Sequence, residues 1–236
     1  MKTLYKKELN YYLNNPIGFI IVVLFAVFAN FLFVKDIFIV GQASMKPFFV
    51  LLPWLFMVFI PALTMRSLSE EKRVNTIEVL LTLPMSETQV VLAKFFALLT
   101  IVGLGLILTF GLPISLFFLS RIYFPEIIAG YLGEIFLASF FISLALFFSS
   151  QTKNQVVAFL TSIITLFFLL VLGTEFTANV LPRSIQDFLL YFSPINHLQN
   201  FVKGVIDLRS ILYFVSFTLM FLFLTVVDLE KRSWYV

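Results

Sequence analysis

The chain has 236 residues, of which 61% are hydrophobic and only 12% charged, with mean hydropathy +1.03 and net charge +3. A soluble domain carries about 25% charged residues, so this composition excludes a water-soluble globule and puts lipid around most of the surface. The absence of cysteine excludes disulfides and thiolate metal sites, and the scattered Lys and Arg form no nucleic-acid-binding patch.

Crossing ~30 Å of hydrocarbon takes about 20 apolar residues in a helix, and no period-2 alternation argues for a barrel. In chain order, residues 2–15 read as an amphipathic helix with Tyr5, Leu9, Tyr12 and Leu13 on one face, resting on the cytoplasmic membrane surface. Lys2, Lys6 and Lys7 precede a long apolar run that ends at Val34, Lys35 and Asp36 without a small-x-small cleavage pattern, so it reads as a retained helix. That run, 17–34, is the first of six spans, with Pro16 placed to start it. The others are 48–65, 90–119, 127–148, 156–172 and 211–227. The third is long enough to tilt, or to break at Gly111 or Pro113. The expected fold is therefore all-α and integral to the membrane, one domain over 1–236, with a polar loop at 66–88 and a long outer segment at 173–210.

Flanking charge orients the spans. With both termini cytoplasmic, the inside holds Lys2, Lys6, Lys7, Arg66, Lys72, Arg73, Lys94, Lys153, Lys231 and Arg232. The outside holds Lys35, Lys46, Arg121, Arg183, Lys203 and Arg209. Tyr11, Tyr12, Trp234 and Tyr235 mark the inner interface, and Tyr123, Tyr131 and Tyr213 the outer.

Catalytic signatures are missing: there is no phosphate-binding GxxxxGK[ST] loop, no HExxH and no GxSxG. The single histidine, His197, makes a poor metal site alone. Glu134, seven residues into the fourth span, has two readings: a translocation-path residue at membrane depth, or a carboxylate at the interface of a span that begins later. Gly130 with Gly133, and Ser139 with Ser143, read as close-packing positions.

The 66–88 loop is the most informative stretch. Ser67 with Glu70, and Ser86 with Gln89, have capping-box spacing, and Asn75 with Glu78 the Asx-capped form. Val74, Ile77, Leu80 and Leu81 give a middle helix one apolar face, and Pro84 ends it. Such a helix either lies on the membrane or docks into a partner's groove. Glu70, Glu71 and Glu78 weaken the membrane reading.

The string Glu70-Glu71-Lys72-Arg73-Val74-Asn75-Thr76-Ile77-Glu78-Val79-Leu80-Leu81, then Pro84 and Leu92-Ala93-Lys94, resembles the cytoplasmic loop of ABC-2 type permeases, whose pattern is E-E-[KR]-x-x-[GN]-T-[IL]-E-x-L-L-x-x-P. Ser193-Pro194, Lys203-Gly204-Val205-Ile206-Asp207 and the terminal Leu229-Glu230-Lys231-Arg232-Ser233-Trp234 resemble the bacterial gliding-motility ABC permeases. The resemblance implies a type V exporter-like permease in the bacterial cytoplasmic (inner) membrane, paired with a second permease copy. A separate ATPase subunit would bind ATP and Mg, so this chain would be neither catalytic nor cofactor-bearing. An auxiliary extracytoplasmic or membrane subunit is a further expected partner. Glu70, Glu71, Arg73, Asn75, Thr76, Ile77, Glu78, Leu80, Leu81 and Pro84 would form the ATPase-coupling element, and 177–209 would form re-entrant helices over the pathway. An ATP-independent transporter or channel, and a scaffold without transport of its own, are the alternatives.

Overall fold

The computed structural model describes residues 1–40, 44–76, 86–119, 123–172 and 190–233. Among the described residues there are nine helices and no strand: α1 (Lys2–Asn14), α2 (Pro16–Val40), α3 (Lys46–Arg73), α4 (Glu87–Ile107), α5 (Gly111–Leu119), α6 (Phe124–Gln151), α7 (Gln155–Val171), α8 (Pro194–Val202) and α9 (Leu208–Ser233). Five stretches among the described residues are long and apolar enough to cross a membrane: Gly18–Lys35, Lys46–Arg73, Glu87–Phe118, Phe124–Gln151 and Leu208–Lys231. The fifth expected span, 156–172, is α7, and its 17 residues, about 25 Å of helix, fall short of that criterion.

The outer faces of these helices are as apolar as the interior. Phe31 and Phe223 are each 65% exposed and Phe118 is 81% exposed, a surface that suits lipid. Helix association in such a solvent cannot rest on hydrophobic transfer and depends on close packing. α3 and α6 form the centre. A Cβ on Gly130 would overlap the Phe49 ring, and one on Gly133 would sit 2.6 Å from Cβ of Phe201. The two glycines thus let α6 meet α3 on one side and α8 on the other. Phe48, Phe49, Phe56, Phe140, Phe141, Phe201 and Phe214 fill the interior with almost no exposure.

Contacts fix the direction of each helix. The starts of α3 and α6 meet through Lys46 and Glu126 (3.6 Å), and their ends meet through Met65 and Ser149 (3.1 Å). The two central helices therefore run parallel. The end of α3 also meets α1, the start of α4, the start of α7 and the last turns of α9. The first and last described helices thus return to the same end of the bundle, the end that carries the 66–88 loop.

The expected break in the third span is present. A turn at 108–110 separates α4 from α5 just before Gly111, with Pro113 in the first turn of α5, where its missing N–H costs least. Thr109 Oγ1 lies 3.0 Å from the Tyr131 hydroxyl, and the Phe110 ring stacks on that of Tyr131 at 4.4 Å, so the break is docked on α6.

Two local expectations are corrected. Of the expected α1 face Tyr5, Leu9, Tyr12 and Leu13, Tyr12 is buried and Tyr5 and Leu9 half-buried against the core, but Leu13 is exposed, and Leu4 and Glu8 are buried instead. α1 packs on α4, with the Tyr5 hydroxyl 2.9 Å from Thr100 Oγ1, because a carboxylate on its inner face answers a lysine of α4. Ser67 caps nothing. It is buried within α3, which runs on to Arg73 because no breaker follows Pro61. The Ser86 cap is as expected: its side chain accepts the Gln89 amide at the start of α4.

Candidate functional site

The stem of the 66–88 loop is the last two turns of α3. Consecutive residues on a helix point about 100° apart, and here each of two neighbours grips a different part of the bundle. Glu71 reaches Lys94 of α4, with Oε1 2.8 Å from Nζ, and the same Nζ lies 3.0 Å from Glu8 Oε1 of α1. The side chains are 1% (Lys94), 8% (Glu8) and 19% (Glu71) exposed, so a lysine is held between two carboxylates out of bulk water. Charge-assisted bonds of this kind are short and strong, and in a low dielectric they are costly to leave half-made.

Lys72 turns the other way. Its buried ammonium donates to the Ser150 carbonyl of α6 and lies 2.9 Å from Asp228 Oδ2 of α9. Gln151 Nε2 donates to the second Asp228 oxygen at 3.3 Å. One turn back, Ser149 Oγ donates to the Met65 carbonyl and accepts the amides of Leu68 and Ser69 at 3.2 and 3.1 Å. Arg66 Nε donates to Gln155 Oε1 at the start of α7 (3.1 Å). The stem is thereby tied to α1, α4, α6, α7 and α9.

Tyr12 completes the α1 side. Its hydroxyl donates to the Leu63 carbonyl at 3.4 Å, and burial, then the nearby Glu8, raises its pKa well above the ordinary tyrosine value.

The stem ends where the chain turns. Val74 caps α3, and Asn75 has φ +58°, the left-handed conformation that Gly and Asn adopt most readily after a helix. Asn75 thus lies in the two-residue turn that ends α3, and Thr76 directly after it is helical again. Thr76 Oγ1 donates to the Glu71 carbonyl at 3.4 Å, and Val74, first of the expected apolar face, is 57% exposed. Arg73 pairs with Glu70 one turn away at the surface, where such pairs contribute little. Ile77, Glu78, Leu80, Leu81 and Pro84 lie outside the described residues.

Glu134 stands apart. It lies in the first half of α6, ten residues or about 15 Å from that helix's start, fully buried, and neither carboxylate oxygen has a partner among the described residues. His197 stacks on Tyr213 (4.1 Å) with Nε2 3.0 Å from the Tyr191 carbonyl, which is a packed and bonded imidazole. Among the described residues no group of three or more His, Cys, Asp or Glu is placed to hold a metal.

Glu8, Lys72, Lys94, Ser149 and Asp228 were not expected at this site. Lys94 alone carried a signal: a cation eight residues into a helix that is otherwise apolar to its end. Burying it requires a partner, and the nearest acids in sequence, Glu87, Glu78, Glu71 and Glu70, named the candidates.

No curated protein matches the chain. A family model described as "ABC-2 family transporter protein" does match, over residues 2–234, so it takes in the surface helix, the clamped stem and the last turns of α9 together. By that match the chain belongs to the ABC-2 transporter family.

Proposed function

We propose that this chain is the membrane-spanning permease subunit of an ATP-binding cassette exporter, driven by a separate ATPase subunit that seats the 66–88 loop. ATP and Mg are bound and hydrolysed on that partner, and this chain contributes no catalytic group. The observation that carries the reading is the ionic clamp on the stem. Adjacent residues Glu71 and Lys72 are bonded to α1 and α4 on one side and α6 and α9 on the other. A push on the loop therefore reaches the bundle as a rigid displacement instead of dissipating in a flexible hinge.

The rest of the arrangement follows from this reading. α7 counts as a sixth crossing, shorter than the others, since α1 and the end of α9 meet the same end of the bundle. Flanking charge makes that end the cytoplasmic one, in the inner membrane of a bacterium. Two copies pair to enclose the pathway. The resemblance at 193–194, 203–207 and 229–234 favours a place near the gliding-motility permeases.

The test is L80D/L81D, which puts charge on the apolar face offered to the ATPase. The variant should insert normally but fail to co-purify with its ATPase subunit. Undiminished assembly with that subunit would refute the docking role.

A further inference from the structure

At the loop-bearing end lies a basin of about 720 Å3, lined by Tyr11, Arg66, Glu70, Arg73, Lys153, Asn154 and Gln155 among others. We infer that this basin, which shares Glu70 and Arg73 with the proposed ATPase-coupling element, holds the phosphate headgroup of an anionic phospholipid. Three cations line it against one acid, Glu70, which Arg73 already engages, so the basin carries a net positive charge. The start of α7 also faces it: Asn154 caps that helix, and Gln155 and Val156 line the wall. Helix N-termini favour anions through their free amides and dipole.

A basic basin alone would fit a free phosphate or an acidic peptide equally. What selects a lipid is the wall beside it. From the edge of the basin α7 exposes Val156, Val157 and Leu160 along its first turns. The polar mouth sits at the helix ends, where headgroups lie, and this aliphatic face leads from it along the helix. The neighbouring cleft beside Ile21 and Leu63 has a volume of only about 10 Å3 and holds no chain. Arg66 is fixed at the basin's edge by its bond to Gln155. A headgroup phosphate in the basin with an acyl chain along Val156 and Leu160 satisfies both halves. Neither inorganic phosphate nor an acidic peptide uses the second.

Native mass spectrometry of the purified full chain tests this, after equilibration with phosphatidylglycerol or with phosphatidylcholine bearing the same chains. The wild type should retain phosphatidylglycerol preferentially. K153Q, which removes an exposed cation, should lower that preference about fivefold, and R66Q/K153Q about thirtyfold. K203Q, at the opposite end, should leave it unchanged. Because Arg66 is also bonded to Gln155, K153Q alone decides if the double variant does not fold. Equal retention of the two lipids by the wild type, or an unaltered preference in K153Q, would overturn the inference. So would displacement of the lipid by inorganic phosphate, which makes this a phosphate site, or by oligoglutamate, which makes it a protein-docking surface.

Discussion

Replacing Lys94 by methionine is the sharpest probe of the clamp. Methionine keeps most of the lysine's apolar stem and volume, so the cavity contribution is small and the loss is electrostatic. Lys94 Nζ lies 3.0 and 2.8 Å from two carboxylate oxygens on different helices, and its side chain is 1% exposed. At an effective dielectric near 20, each contact corresponds to about 5–6 kcal/mol of attraction, opposed by several kcal/mol of desolvation per ion. The attraction therefore does not equal the net contribution. What K94M leaves behind sets the cost: Glu8 and Glu71 remain, largely out of water, with nothing between them. Removing one partner from a buried ionic cluster costs about 3–5 kcal/mol. That lowers the folding equilibrium constant by roughly two to four powers of ten. The neutral triple variant E8Q/E71Q/K94M leaves no charge unpaired and should recover most of the loss. Equilibrium unfolding in mixed micelles, read by tryptophan fluorescence with Trp54 in α3 as the reporter, measures both. Amide exchange in α1 should rise in K94M, because Glu8 is the buried polar tie of that helix to α4. A K94M protein within about 0.5 kcal/mol of wild type, or a triple variant less stable than the single one, would refute the clamp.

Gly130 and Gly103 make a matched pair. G130A drives a Cβ into the buried Phe49 ring and should cost about 1–3 kcal/mol, whereas G103A, with open space at its Cβ, should be neutral or stabilise α4 by up to about 1 kcal/mol in the same unfolding assay. E134L removes a buried carboxylate with two unbonded oxygens and should stabilise the fold by about 1–3 kcal/mol. If it does so while abolishing stimulation of the ATPase subunit, Glu134 belongs to the translocation path; unchanged stability in E134L would contradict its unpartnered placement. Tyr12 gives a pH signature. Its pKa is higher folded than unfolded, so its contribution is whole below about pH 10 and declines as pH rises above that. Y12F should therefore lose less stability than wild type on going from neutral to strongly alkaline solution, and parallel alkaline unfolding curves would count against the buried hydroxyl.

The parts of this fold legible in the sequence are those governed by a local rule. A span announces itself because lipid demands an unbroken apolar run. The break before Gly111 announces itself because Pro113 removes an amide, and the turn at Asn75 because few residues tolerate φ +58°. Ser67 and Glu70 show how a local rule misleads. Their spacing is that of a capping box, but a cap forms only where the preceding turn is already broken, and nothing between Pro61 and Arg73 breaks α3. The clamp was illegible for a different reason. Counting flank charges treats each cation as a solvated marker of sidedness, so Lys72 and Lys94 entered the count as inside charges. Both are instead buried, with partners 156 positions away at Asp228, and 86 and 23 positions away at Glu8 and Glu71. No periodicity reports a pairing across that separation. The bare fact of a lysine inside an apolar helix start does constrain it, because an ammonium there needs an acid, and the acids close at hand in the sequence belong to the loop itself. On the proposed reading, a loop that moves with the bundle needs its charges spent on that attachment, and Glu71 and Lys72 direct theirs there.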